Sequence, residues 1–210
     1  MDGKQIISII DYLFQWITRF AVLNGLWVLF SLIGFLVGGI FPSTVATLSV
    51  ARKWIMNDTD FKVWDFFKES YKKEFVTSNI LGWILLAIGL IFYINYQAIL
   101  GLTLTSNTLY QIMLITFLLL LFFYVIVIIW AFPLIAHYDT SVINIIKSAL
   151  IIGLSKIHFT VAIGLYLFTV MYLSFAFPGA ILFFTFSAAS YGCMWLSLRV
   201  FSKVKNIQHS

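Results

Sequence analysis

Between Phe75 and Tyr138 the chain runs for 64 residues without an Asp, Glu, Lys or Arg, whereas the stretch from Arg52 to Glu74 carries 11 of its 21 charges. A bilayer core rejects each ionised side chain by roughly 2.5 to 3.5 kcal/mol on insertion scales, so long charge-free runs bounded by charge clusters read as membrane spans joined by wet loops. With 62% hydrophobic and only 10% charged residues, the chain also has too little polar surface for an ordinary water-soluble globule. The expected fold class is therefore all-α, a polytopic helical bundle in the lipid bilayer, with 1–210 as one membrane domain.

Periodicity divides the chain further. Lys4, Ser8, Asp11, Gln15 and Thr18/Arg19 recur every three or four residues and leave Ile6, Ile9, Ile10, Leu13, Phe14, Trp16 and Ile17 on the remaining surface. This predicts an amphipathic helix over 4–19, lying in the interface or packed on the bundle. Asp11 and the lack of a small-residue cleavage pattern argue against a secretion signal. A bilayer core about 30 Å thick needs about 20 helical residues. That length predicts spans at about 20–41, 78–99, 109–135, 157–176 and 179–201. Pro42 should break the first, Ser43 or Thr44 should start a short helix through Trp54, and Asp60 is a candidate cap for a helix over 61–76. On that helix Phe61, Trp64, Phe67, Tyr71 and Phe75 share one side, opposite Lys62, Asp65, Glu69, Lys72 and Lys73. Another interfacial helix follows Ser141, with Asn144, Lys147, Ser148 and Ser155 on its polar face. Gly34 and Gly38 form a Gly-x-x-x-Gly pair, and Ser187, Ala189, Ser190 and Cys193 supply small residues to the fifth span, both read as helix-packing surfaces.

With five spans, 11 of the 13 cations fall on one side, which the positive-inside rule makes cytoplasmic together with 42–76 and the C-terminus. Lys4 and Arg19 fall on the other side. The alternative is that the 20–41 segment turns back at Gly38-Gly39 as a re-entrant segment.

Asn24-Gly25-Leu26-Trp27, Gly39-Ile40-Phe41-Pro42-Ser43-Thr44-Val45-Ala46 and Val50-Ala51-Arg52-Lys53-Trp54 resemble the opening signature of the YesL family of bacterial membrane proteins. Later segments are similar too: Leu81-Gly82, Ala131-Phe132-Pro133-Leu134, His137-Tyr138-Asp139 and Lys147-Ser148-Ala149. Ser43 departs from the Ala common at that place. The resemblance implies a multi-span protein of the bacterial plasma membrane without an established activity, often associated with carbohydrate utilisation, and it supplies no catalytic residues.

The residues themselves offer little chemistry. There is no phosphate-binding Gly-x-x-x-x-Gly-Lys loop, no His-Glu-x-x-His, no Cys/His cluster and no Gly-x-Ser-x-Gly elbow, so neither a cofactor nor a metal is expected and the chain does not read as an enzyme. The basic balance flanks apolar spans and does not suggest nucleic acid. Lone Cys193 offers no internal disulfide. Asp139 with His137 or His158 is the one acid and imidazole combination near span ends, read chiefly as a boundary cap. The predicted spans hold no ionisable group of the kind that marks ion-coupled pathways, apart from Arg199 near the end of the fifth. Two sets of candidate residues remain. Phe61, Trp64, Phe67, Tyr71, Lys68, Lys72 and Lys73 could meet a partner or lipid, and Asn24, Asn95 and Gln97 could form a polar cavity. The leading expectation is an accessory or assembly component linked to carbohydrate uptake, contacting sugar importer subunits. A permease for a neutral solute such as a sugar is the alternative, and a membrane-embedded enzyme the third.

Overall fold

The computed structural model describes residues 3–101 and 107–207, and among these it contains only helices and turns. Four helices are long and apolar enough to cross a membrane: within α1 (Gly3–Ile33) the stretch Ile7–Ile33, then α4 (Phe75–Gly101), within α5 (Asn107–His137) the stretch Thr108–His137, and α7 (Ile157–Ala176). Shorter helices complete the order: α2 (Ile40–Ile55), α3 (Val63–Lys73), α6 (Val142–Ser155), α8 (Pro178–Phe183) and α9 (Thr185–Ile207). The outer faces of α4, α5 and α7 expose Leu, Ile and Phe along their lengths. Apolar surface on that scale belongs in lipid. Most of the predicted uncharged loop between α4 and α5 lies outside the described residues.

The first predicted span differs in two ways. The 4–19 helix and the start of the span are one continuous helix, α1, because nothing between Arg19 and Asn24 breaks the apolar period. The span ends at Ile33, and residues 34–39 turn the chain back on itself before α2 begins. Pro42 does not terminate a helix. It sits in the first turn of α2, where its missing N–H costs nothing. Gly34 and Gly38 accordingly serve the turn and do not form a helix-packing motif; a Cβ on Gly34 would overlap the Gly39 backbone.

α1 and α2 form an antiparallel hairpin. Trp27 Nε1 donates to Thr44 Oγ1 at 3.1 Å near the tip, and the Trp16 and Trp54 rings meet edge to face at 6.2 Å near the other end. The Arg19 guanidinium lies 5.4 Å from the Trp16 ring, so Arg19 is at the same end of the hairpin as Trp54. α2 is buried along most of its length and forms the middle of the molecule. One of its faces packs with Leu23, Leu26 and Phe30 of α1 and with Phe67 and Tyr71 of α3. Another joins Leu81 and Leu85 of α4, Trp130 and Leu134 of α5, Ile145 of α6 and Met194 of α9.

α3 starts at Val63, not immediately after Asp60. Lys53 ties the linker to both helices: it pairs with Asp58 at 2.8 Å and lies 4.7 Å from both the Phe61 and Phe66 rings. The predicted fifth span is also broken, at Phe184, into α8 and α9. Its small residues do pack closely: Ser187, Ser190 and Cys193 are buried, and Gly192 lies directly against the Tyr166 ring of α7.

Candidate functional site

Asn24 lies where α1 passes the α8–α9 break, and it is fully buried. Its Oδ1 accepts from the backbone N–H groups of Phe186 at 2.9 Å and Ser187 at 3.3 Å, the second and third residues of α9. Its Nδ2 donates to the Ile181 carbonyl of α8 at 3.2 Å. A helix start leaves its first N–H groups without partners, and away from water each must find one. Asn24 therefore acts as a cap supplied from another helix, an interhelical use and not the solute-binding one.

The other two candidates for a polar cavity are elsewhere. Asn95 donates to Ile91 of its own helix and lines an otherwise apolar groove with Phe92, Ile112, Met113 and Phe117 between α4 and α5. Gln97 donates to the Tyr93 hydroxyl on the exposed side of α4. Asn24, Asn95 and Gln97 thus line no common cavity.

The aromatic face of α3 is divided. Phe67 and Tyr71 are buried against Phe30, at ring separations of 5.0 and 5.1 Å, and belong to the protein's own core. Phe61 is half-buried beside Lys53. Trp64, Lys68, Lys72 and Lys73 remain exposed. The surface available to a partner or to headgroups is therefore the rim of Trp64 and the lysines.

A charged cleft of about 300 Å³ opens where α2, α3 and the adjoining ends of α4 and α5 meet, lined among others by Ser49, Arg52, Lys73, Glu74, His137 and Asp139. Arg52 Nη1 donates to the carbonyls of Ala136 at 2.8 Å and His137 at 3.3 Å, placing a cation on the last turn of α5, where the helix dipole favours it. Burial lowers the Arg52 pKa, though a guanidinium remains charged at any physiological pH. Lys73 bridges Asp139 at 2.9 Å and Glu74 at 3.5 Å, joining the end of α3 to the residues after α5. The hydrogen bond to Asp139 raises the Lys73 pKa against the opposing effect of desolvation. Because that ion pair is exposed, it is worth no more than about 1 kcal/mol.

Glu74 is the unusual member. Desolvation raises its pKa above the ordinary carboxylate value and outweighs the attraction of Lys73, while Asp139 pushes in the same direction as burial. The folded state therefore binds the Glu74 proton more tightly than the unfolded chain does. Stability should fall as pH rises from the ordinary Glu value through the raised one. Glu74→Gln is expected to remove that slope and to leave stability at neutral pH equal or higher. Unfolding of the detergent-solubilised protein followed across this pH range would show an unchanged slope if the account of Glu74 were wrong.

Sequence reasoning noted Arg52 as a topogenic charge and within the family signature, and did not single out Glu74. Arg52 lay in a basic pair before a turn, and its partners, two backbone carbonyls more than eighty residues away, carry no sequence signal. Glu74 could have been suspected as the last charge before 64 uncharged residues. His137 and Asp139 do line one cleft, but the Asp139 carboxylate faces Lys73, and the His137 ring lies between Tyr138 and Phe201, at 4.6 and 4.9 Å. His158 packs instead on Phe159. No group of three metal-ligating side chains occurs among the described residues.

A family model described as "Protein of unknown function, DUF624" matches residues 20–96. That stretch covers the C-terminal part of α1, all of α2 and α3 and most of α4, including Asn24, Arg52, Lys73 and Glu74. Three proteins of Bacillus subtilis (strain 168), each described as uncharacterised, align over nearly the whole chain. YteU is 34% identical over 91% of this chain and 84% of its own length. YesV is 33% identical over 92% of this chain and 91% of its own. YesL is 27% identical over 95% of this chain and 92% of its own. No solved structure matches the chain.

Proposed function

Because this chain belongs to the DUF624 family of YesL-like proteins, together with YteU and YesV, we propose that it is a non-enzymatic accessory or assembly component of the bacterial plasma membrane. Its partners in this reading are the subunits of a sugar importer. The link to carbohydrate rests on the family resemblance alone. The accessory role rests on one observation: the polar side chains that bridge helices in the described bundle bond backbone groups of the protein itself. Asn24 caps a helix break, Arg52 caps α5, and Tyr124 and Tyr166 donate to carbonyls of neighbouring helices. A carrier needs polar groups that converge on a solute and then release it.

The partner would approach the exposed rim of Trp64, Lys68 and Lys72, on the side of the membrane we assign to the cytoplasm with the C-terminus. The permease reading would require Asn95 and Gln97 to bind a neutral solute. Purified protein in sealed liposomes is expected to take up labelled sugars no faster than empty liposomes. Saturable uptake that is lost on Asn95→Leu would establish a permease and overturn the accessory reading.

A further inference from the structure

We infer that the α1/α2 hairpin is a re-entrant element: its tip sits in the hydrocarbon, and both of its arms emerge on the membrane face that carries Lys73 and Asp139. The depth scale comes from α4 and α5. They run antiparallel, with the Tyr124 hydroxyl on the Leu85 carbonyl at 2.8 Å and the rings of Phe92 and Phe117 at 5.7 Å. The Lys73–Asp139 ion pair ties the start of α4 to the end of α5, which fixes one membrane boundary.

Both ends of α2 are referred to that boundary. Arg52, near its C-terminal end, bonds the last carbonyls of α5, at the boundary itself. At its start, the Gly38 carbonyl accepts from Asn79 Nδ2 at 3.0 Å, and the Phe41 ring packs on Gly82 and lies 6.1 Å from the Phe132 ring. These contacts are one to two helical turns inside the spans. With 16 residues, α2 covers about 24 Å at most, less than the roughly 30 Å of a bilayer core even if it stood upright. Since α1 runs back along α2 to bring Trp16 against Trp54, its N-terminal part returns to the starting face.

The tip is built for hydrocarbon. Phe35, Leu36 and Val37 are 89%, 49% and 63% exposed. Phe35 and Leu36 have φ of 54° and 62°, a region that turns in water normally give to Gly or Asn. Apolarity has prevailed over turn chemistry there. Every backbone N–H from Gly34 to Ile40 reaches an intrachain carbonyl, including Leu36 to Ser31 at 2.8 Å and Gly38 to Gly34 at 3.0 Å. A turn in water has no need of that; a turn in lipid does. The same path also resolves the charge pattern. With crossings by α4, α5, α7 and the α8–α9 segment, Lys4 and Arg19 join the other cations, and all 13 lie on one face.

The test uses single cysteines in a Cys193→Ala background, probed with a membrane-impermeant maleimide in right-side-out and inside-out membrane vesicles. Ser8→Cys and Asp58→Cys are expected to label in the same preparation. Val37→Cys and Phe35→Cys are expected to label in neither until detergent is added. Labelling of Ser8→Cys and Asp58→Cys from opposite faces, or of either tip cysteine from any face of intact membranes, would overturn the re-entrant hairpin.

Discussion

Replacing Asn24 with leucine should lower the stability of the folded protein by on the order of 2–4 kcal/mol, because two or three buried polar groups lose a partner worth about 1–3 kcal/mol each, less whatever the α8–α9 junction recovers by relaxing. The leucine side chain would fill similar volume but leave the N–H groups of Phe186 and Ser187 and the carbonyl of Ile181 without the amide they bond now. Cys193 provides the measurement. It is the single cysteine and is buried, so a thiol-reactive dye reports its exposure on heating in detergent. Asn24→Leu should shift that transition to markedly lower temperature. Asn95→Leu, which removes only a bond within one turn of α4, should barely move it. Equal shifts for the two variants would refute the capping role of Asn24.

Gly39→Ala should also be damaging. A Cβ at Gly39 would overlap the Ser31 carbonyl and crowd the Phe30 carbonyl and the Ser31 Cα, all of them backbone atoms fixed by the end of α1. Side chains can yield by rotating, but these atoms yield only if the turn opens, and overpacking of this kind costs about 1–3 kcal/mol or more. Gly25→Ala, where an added Cβ meets nothing within 4 Å, is the control and should be neutral or slightly stabilising. If Gly39→Ala melts like the native chain in the same dye assay, the 34–39 turn is not as closely packed as these contacts require.

Much of the architecture could be read from the sequence because the bilayer enforces a simple rule on charge. The spans of α4, α5 and α7 appeared within a few residues of their ends, since charged or polar clusters bound them. The path of α1 and α2 was harder. Gly38-Gly39 sits inside an unbroken apolar run, and hydropathy cannot distinguish a helix that continues from one that turns in lipid. The turn becomes evident only from the contacts of Gly34, Gly39 and Asn79. The break at Phe184 was invisible for a related reason: its partner, Asn24, lies on a helix about 160 residues earlier.

The α3 helix shows the same limit at the candidate site. Its aromatic stripe was expected on one helix over 61–76, whereas Phe61 precedes α3 and Phe75 opens α4; moreover, periodicity says only that a face is apolar, not what covers it. Here Phe30 of α1 covers Phe67 and Tyr71, so the surface left for another molecule is smaller and more basic than the stripe suggested. Asp139 was noted for its proximity to histidine, yet the group it meets is Lys73.

The accessory role is most directly tested by what accompanies the protein out of the membrane. Affinity purification of the native chain in mild detergent, with Trp64→Ala/Lys68→Ala/Lys72→Ala as the comparison, is expected to recover sugar importer subunits in stoichiometric amount with the native chain and to lose most of them with the triple variant. Recovery of the native chain without importer subunits, under conditions where the importer itself stays assembled, would contradict the account.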